Sequence, residues 1–127
     1  MTTTPVPTES VEQRNLFAWA RLMSGAHPEL ALLYHIPNEG KRSVATGRRM
    51  RQEGLKRGVP DICLPVARGG KHGLYIELKR IKGSKVSEEQ REWLAALEEQ
   101  GYAAALCKGW EAAAKVIEEY IKQEAKP

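Results

Sequence analysis

The feature that most constrains the fold is a pair of β-prone runs joined by a turn rich in glycine and cations. Residues 59–66 are largely apolar and residues 74–80 alternate apolar with polar side chains. Between them, residues 68–73 read Arg-Gly-Gly-Lys-His-Gly, which supplies the glycines that a tight turn requires. We therefore predict a β-hairpin. Because successive strand side chains point to opposite faces, Glu77 and Lys79 are predicted to share one surface.

Two helices and one short strand are predicted before the hairpin. Ser10 and Gln13 have the spacing of a capping box, so a first helix is predicted over about residues 10–23. Residues 30–36 are apolar and predict a strand, or a short helix that continues into one, and we favour strand for their second half. Ser43 can cap a second, basic helix.

After the hairpin, the sequence predicts a helix, a strand and a helix. Ser87 and Gln90 repeat the capping-box spacing, and the helix that they open is expected to end at Gly101. Residues 102–107 predict a short strand, and a last amphipathic helix begins near Trp110. This order indicates an α/β fold class, with a mixed central β-sheet flanked by α-helices.

Length and composition indicate one soluble domain. The 127 residues show no compositional break, so we predict a single domain over residues 1–127 with flexible ends at residues 1–8 and 123–127. No apolar run approaches the roughly 20 residues that span a bilayer, so no membrane segment is expected. The N-terminus lacks the pattern of a secretory signal, which favours the cytoplasm. Cys63 and Cys107 are predicted to be reduced core residues.

Basic residues are unevenly distributed, although the net charge of +4 is modest. Between residues 41 and 57, seven cations stand against the single acid Glu53. Such a segment suits a polyanionic partner, because neutralising phosphates releases counterions. A solvated helix face is the alternative explanation. The predicted DNA-binding residues are Lys41, Arg42, Arg48, Arg49, Arg51, Lys56 and Arg57.

Two acids and one cation on the hairpin have the arrangement that phosphodiester hydrolysis needs. A divalent ion lowers the pKa of an attacking water and absorbs charge on the phosphate. Mg²⁺ prefers oxygen ligands and is usually held by one or two carboxylates, which Asp61 and Glu77 can supply from adjacent strands. Lys79, on the same face as Glu77, could stabilise the phosphate by its charge. The alternative is a turn residue at Asp61 beside an ordinary surface pair.

The spacing of these residues also resembles a known group of nucleases. Asp61, fifteen intervening residues and then residues 77–79 (Glu-Leu-Lys) reproduce the pattern of the PD-(D/E)xK nucleases. A wider set of matches resembles the VRR-NUC family, particularly its short stand-alone members from phages and bacteria. These matches are Glu12-Gln13, residues 58–61, residues 75–79, the Ser87-x-x-Gln90 helix start and residues 101–106. The resemblance extends over about residues 9–118, although the Val-Arg-Arg tripeptide of the family name is missing, which leaves substrate preference open.

The resemblance carries expectations about fold, chemistry and assembly. It implies a restriction-endonuclease-like core, dependence on Mg²⁺ or Mn²⁺, homodimerisation, and cleavage of branched DNA like that of a Holliday junction resolvase. The metal ligands that it implies are Glu12, Asp61, Glu77 and the backbone carbonyl of Leu78. The catalytic residues that it implies are Asp61, Glu77, Lys79 and Gln90.

Several of these assignments have simpler alternatives. Gln90 could only complete a capping box, and Glu12 could only be an acid that is favoured near a helix start. His35 is interpreted as a packed strand residue rather than a general base. A basic DNA-binding module with a nuclease fold and little turnover is the alternative function.

Overall fold

Four strands form one mixed sheet in the computed structural model, which describes residues 5–37 and 43–125. In the sheet order β1-β2-β3-β4, the first two pairings are antiparallel and the last is parallel. This arrangement confirms the predicted α/β class. The elements in chain order are α1 (Glu9–Met23), a 3-10 helix (Pro28–Leu32), β1 (Tyr34–His35), α2 (Val44–Gln52), β2 (Ile62–Leu64), β3 (Leu74–Lys79), α3 (Glu88–Glu99), β4 (Ala103–Lys108) and α4 (Trp110–Ile121).

The predicted hairpin is confirmed as the β2–β3 pair, although β2 is shorter than residues 59–66. Ile62 pairs with Ile76 and Leu64 with Leu74. Backbone hydrogen bonds between Arg68 and Lys71 run in both directions, at 3.1 and 2.8 Å, and they close a turn inside the connection. Two of the glycines predicted to serve the turn have positive φ there, Gly69 at 56° and Gly70 at 79°.

β3 is buried on both of its faces, which corrects the expectation of a half-exposed strand. Leu74, Ile76 and Leu78 join the main core, together with side chains from α1 and α4. Glu77 and Lys79, on the opposite face, are only 2% and 7% exposed. β3 contacts α1, α3 and α4, so helices shield polar positions that resemble a solvent face in the sequence.

Helix starts were predicted with mixed success. α1 begins at Glu9, and the Thr8 hydroxyl caps it by accepting a hydrogen bond from Val11 N at 3.2 Å. The Ser10–Gln13 capping box is therefore wrong, because Ser10 lies inside the helix. The capping box that opens α3 and the serine cap of α2 are both confirmed. The stretch predicted as helix into strand forms the 3-10 helix followed by β1.

Two further expectations concern the cysteines and membrane association. Cys63 and Cys107 are buried free thiols, as predicted, and burial raises the pKa of Cys107 to about 11. None of the helices in the described part of the chain is long and apolar enough to cross a bilayer.

Candidate active site

Asp61 and Glu77 lie opposite each other at the end of the β2–β3 pair. Asp61 directly precedes β2, and the pairing of Ile62 with Ile76 sets it across from Glu77. Asp61 Oδ2 accepts a hydrogen bond from Leu78 N at 2.8 Å, which ties the first acid to the strand that carries the second. The Asp61 backbone carbonyl also accepts a hydrogen bond from Ile36 N at 2.6 Å.

The loop before Asp61 is held against α3 by a glycine. Gly58 has φ +91°, and a Cβ at this position would lie 2.7 Å from the backbone carbonyl carbon of Glu89. A larger residue would meet backbone and would also adopt a conformation that L side chains rarely take. Pro60, the residue before Asp61, is fully buried. This close packing fixes where Asp61 enters the sheet.

Glu77 and Lys79 form a buried ion pair that reaches α1. Lys79 Nζ lies 3.7 Å from Glu77 Oε2 and 3.9 Å from Glu9 Oε1. Glu9 stands in the first turn of α1 and was not among the residues predicted for the site. The sequence signal that could have identified it is its spacing from Glu12. Residues three apart lie on the same side of a helix, so Glu9 faces the same way as Glu12.

The electrostatics of Glu77 favour its neutral form when no cation is bound. Burial of the carboxylate raises the pKa of Glu77 to about 9; the negative charge of Asp61 acts in the same direction, and the ammonium of Lys79 opposes both. Glu77 Oε1 is buried and has no hydrogen-bond partner among the described residues. An added positive charge beside this oxygen would offset the cost of burying it ionised.

Gln90 completes the capping box of α3 and also contacts the buried acid of β3. Its Oε1 accepts a hydrogen bond from Ser87 N at 2.9 Å and so completes the capping box of α3. Its Nε2 donates a hydrogen bond to Glu77 Oε2 at 3.0 Å. The start of α3 is thereby connected directly to the buried acid of β3.

Glu12 stabilises the start of α4. The side chain is 2% exposed, and its Oε1 accepts a hydrogen bond from Trp110 N at 2.9 Å. The N-cap residue of α4 is Gly109, which has no side chain to offer, so the Glu12 carboxylate provides the cap and faces the positive end of the helix dipole. Glu12 also lies in the first turn of α1, as the dipole explanation expects, so its charge faces the start of two helices. Its proposed role as a metal ligand stays a prediction.

A cleft of about 280 Å³ opens beside Asp61 and Leu78. His35 lines it, with its Nδ1 3.0 Å from the Asp61 carbonyl oxygen, and is exposed rather than packed as predicted. α1 contributes Glu9, Ser10 and Gln13 to the opposite wall. The cleft therefore opens Asp61, one of the two hairpin acids, to solvent.

The residues present fit a hard divalent cation held by few protein ligands. Within residues 5–37 and 43–125, no three or more histidine, cysteine or acidic side chains gather into a metal-binding cluster. Mg²⁺ requires only one or two carboxylates, with water and substrate oxygens completing its shell. Asp61 and the unpartnered oxygen of Glu77 are donors of that kind, and the Leu78 carbonyl belongs to the residue whose N–H binds Asp61 Oδ2.

Comparison with known proteins decides the family. The family model of the VRR-NUC domain matches residues 7–111 of this chain. The chain belongs to the VRR-NUC family. A solved structure described as a VRR_NUC domain protein is 28% identical, with a TM-score of 0.84 over 98% of this chain and 96% of that one. The search of curated proteins found no match. Membership confirms the resemblance drawn from the motifs and assigns the chain to a family of nuclease domains.

The predicted DNA-binding residues of this VRR-NUC domain lie mostly on and after α2. Gly47 is the one buried residue of that helix, whose whole length is described. Lys41 and Arg42 lie outside the described residues. The remaining predicted residues are all exposed, and they are Arg48, Arg49, Arg51, Lys56 and Arg57.

Proposed function

We propose that this chain is an endonuclease that hydrolyses DNA phosphodiester bonds with Mg²⁺ or Mn²⁺ and prefers branched DNA such as a four-way junction. The observation that carries the proposal is the buried, unpartnered Oε1 of Glu77. It stands across the sheet from Asp61 and beside the Lys79 ammonium. A buried carboxylate in that position is costly to the fold unless it serves a cation.

Each residue of the site has a distinct part in this reaction. When bound, Mg²⁺ or Mn²⁺ would lower the pKa of a water molecule and reduce the charge on the scissile phosphate. Asp61, Glu77 and the Leu78 carbonyl would hold the ion. Lys79 would stabilise the extra negative charge that develops on the phosphate in the transition state. Gln90 would keep Glu77 oriented, since it binds Oε2 and leaves Oε1 available.

A homodimer belongs to the same proposal, because two identical sites related by a two-fold axis could cut both strands of a symmetric junction. Two large apolar side chains on adjacent elements support it: Leu22 of α1 is 85% exposed and Leu32 of the 3-10 helix is 54% exposed. One chain has a mass of 14.2 kDa. Light scattering should give twice that mass at the concentrations used for activity. We also propose that the enzyme acts in the cytoplasm of a bacterial or phage-infected cell.

The experiment that tests the proposal is cleavage of four end-labelled substrates of shared sequence: four-way junction, flap, duplex and single strand. Each is incubated with Mg²⁺, with Mn²⁺ or with EDTA. Glu77→Gln removes the negative charge and keeps the size of the side chain. Glu98→Gln, on the exposed side of α3, makes the same change away from the site and serves as the matched control.

The proposal expects cleavage that needs the metal, that is strongest on the junction, and that is lost in Glu77→Gln but kept in Glu98→Gln. Cleavage that persists in EDTA or in Glu77→Gln would exclude this site. Junction binding without cleavage of any substrate would instead indicate a basic DNA-binding module with a nuclease fold.

A further inference from the structure

A second cavity, of about 400 Å³, is lined by Lys79 and shares no lining residue with the cleft. It is formed where the ends of β3 and β4 meet the loop before α3. Its volume falls in the range of roughly 300–1,000 Å³ that is typical of ligand pockets. The function described above does not use this cavity.

The cavity is lined by cations and by no acid. Lys79, Lys85, Arg91 and Lys108 all contribute to its wall. The parallel register pairs Lys79 with Lys108, so both side chains leave the same face of the sheet. Lys85, Arg91 and Lys108 form no ion pair with any described acid, whereas Lys79 pairs with Glu77 and Glu9. Three exposed cations that converge without a carboxylate partner favour an anionic ligand.

Apolar surface completes the wall. Leu106, 41% exposed, stands on β4 two residues before Lys108 and on the same face, and Val86 lines the cavity from the loop before α3. This combination of cations and apolar side chains matches a nucleotide, whose phosphate is anionic and whose sugar and base offer apolar faces. A simple anion such as inorganic phosphate would use the cations alone.

Lys79 connects the cavity to the acids of the hairpin. Its Nζ is 3.7 Å from Glu77 Oε2, and the same side chain lines the basic cavity. Lys79 is thus shared between the wall of this cavity and the proposed site of the scissile phosphate. We infer that this cavity is a nucleotide subsite, in which Lys85, Arg91 and Lys108 bind the backbone phosphate next to the scissile one.

This inference rests on the proposed nuclease function for the identity of the ligand, but its first test needs no cleavage. Binding of a fluorescent single-stranded oligonucleotide is measured by anisotropy in EDTA over a range of salt concentrations. The test variant combines Lys85→Ala, Arg91→Ala and Lys108→Ala. The matched control combines Arg21→Ala, Lys115→Ala and Lys122→Ala, which removes three exposed cations from α1 and from α4 and its end.

The test variant should bind roughly tenfold more weakly at about 0.1 M salt. The salt slope, which is the steepness with which the logarithm of affinity falls with the logarithm of salt concentration, should decrease by about 2, since each phosphate contact contributes about 0.7 on single strands. The control variant should stay within about twofold of the native protein. Equal losses in the two variants would show an effect of net charge alone and would overturn the subsite, whether or not the protein cleaves DNA.

A second test locates the phosphate. Substrates carry a single neutral methylphosphonate at successive positions around the cut. Substitution beside the scissile phosphate should slow cleavage by the native protein about tenfold and should have little further effect in the Lys85, Arg91 and Lys108 variant. If the methylphosphonate slowed cleavage by that variant as much as it slows cleavage by the native protein, the assignment of the neighbouring phosphate to this cavity would be wrong. Absence of cleavage by the native protein would count against the proposed function and would leave the binding test to decide the subsite.

Discussion

Gln90 Nε2 donates a hydrogen bond of 3.0 Å to Glu77 Oε2, while Oε1 of the same amide accepts one of 2.9 Å from Ser87 N. One side chain therefore caps α3 and orients the buried acid of β3. The two functions can be separated experimentally, because the Ser87 hydroxyl belongs to the cap and does not contact Glu77 in the hydrogen bonds of the described residues.

Gln90→Ala should reduce both stability and activity, whereas Ser87→Ala should reduce stability alone. Loss of a helix cap costs about 1 kcal/mol in the free energy of unfolding, and this cost applies to both variants. Loss of a residue that orients a metal ligand typically lowers metal affinity or activity by about 10 to 100 times, and this applies to Gln90→Ala only. Urea unfolding and Mn²⁺-dependent cleavage measure the two effects. Equal rates for the two variants would mean that Gln90 is a cap and nothing more.

The metal-free protein should lose stability as pH rises from about 5 to 9. The pKa of Glu77 is about 9 in the folded protein, against an ordinary value of 4.5. Between these values the folded state holds a proton that the unfolded state releases, so unfolding becomes easier as pH rises, by up to about 1.4 kcal/mol per unit. If Glu77 is a ligand, as proposed, metal affinity should rise over the same interval, because only the ionised carboxylate binds the ion.

Glu77→Gln provides the control for this pH dependence, since its amide does not titrate. Urea unfolding in EDTA at pH 5, 7 and 9 should show a steep decline for the native protein and a flatter one for the variant. If the free energy of unfolding declined equally steeply in the native protein and in the variant, a group other than Glu77 would be responsible for the pH dependence. Saturating Mn²⁺ should flatten the decline of the native protein, because the ion replaces the proton.

The hairpin, the order of elements and the pair of acids could be predicted because they depend on local patterns. Residues 68–73 indicate a turn. Once the hairpin is recognised, the pairing of its strands brings Asp61 and Glu77 opposite each other. The burial of Glu77 and Lys79 could not be predicted in the same way. Polar residues that alternate with apolar ones in a strand are typical of a face exposed to solvent. Here that face is internal because α3 packs on β3 and β4 and because Glu9 of α1 reaches Lys79.

The part that α1 plays in the site was predicted less well. The helix is capped by Thr8 rather than Ser10, and the acid that reaches Lys79 is Glu9. Glu12, which the family resemblance assigns to the metal, accepts a hydrogen bond from Trp110 N across 98 positions of sequence. No local pattern encodes a contact of that range, because it depends on how α1 packs on α4.

Glu12→Ala should destabilise the protein strongly, and Glu12→Gln should do so much less. Alanine leaves Trp110 N without its acceptor in a partly buried position, which costs about 1 to 3 kcal/mol, whereas glutamine keeps an oxygen at that place. Thermal unfolding measures the difference, with Glu111→Ala on the exposed side of α4 as the control. Similar losses for the alanine and glutamine variants would show that the charge of Glu12, and not its acceptor oxygen, supports the fold.

Titration of Glu12→Gln with Mn²⁺ also tests the predicted ligand role. An unchanged Mn²⁺ affinity would limit Glu12 to capping α4. A loss of affinity by about 10 times or more, in a variant that remains folded, would add it to the ligands.

The exposed cations of α2 should contribute DNA affinity that depends on salt and not on sequence. Neutralising Arg48, Arg49 and Arg51 to glutamine should reduce the salt slope for duplex or junction DNA by about 2 to 3, since each phosphate contact contributes about 0.9. The fold should be preserved, because all three side chains are exposed. A matched variant with Arg21, Lys115 and Lys122 changed to glutamine removes equal charge from α1 and from α4 and its end. An unchanged slope in the α2 variant, or an equal change in both, would show that α2 faces away from the DNA.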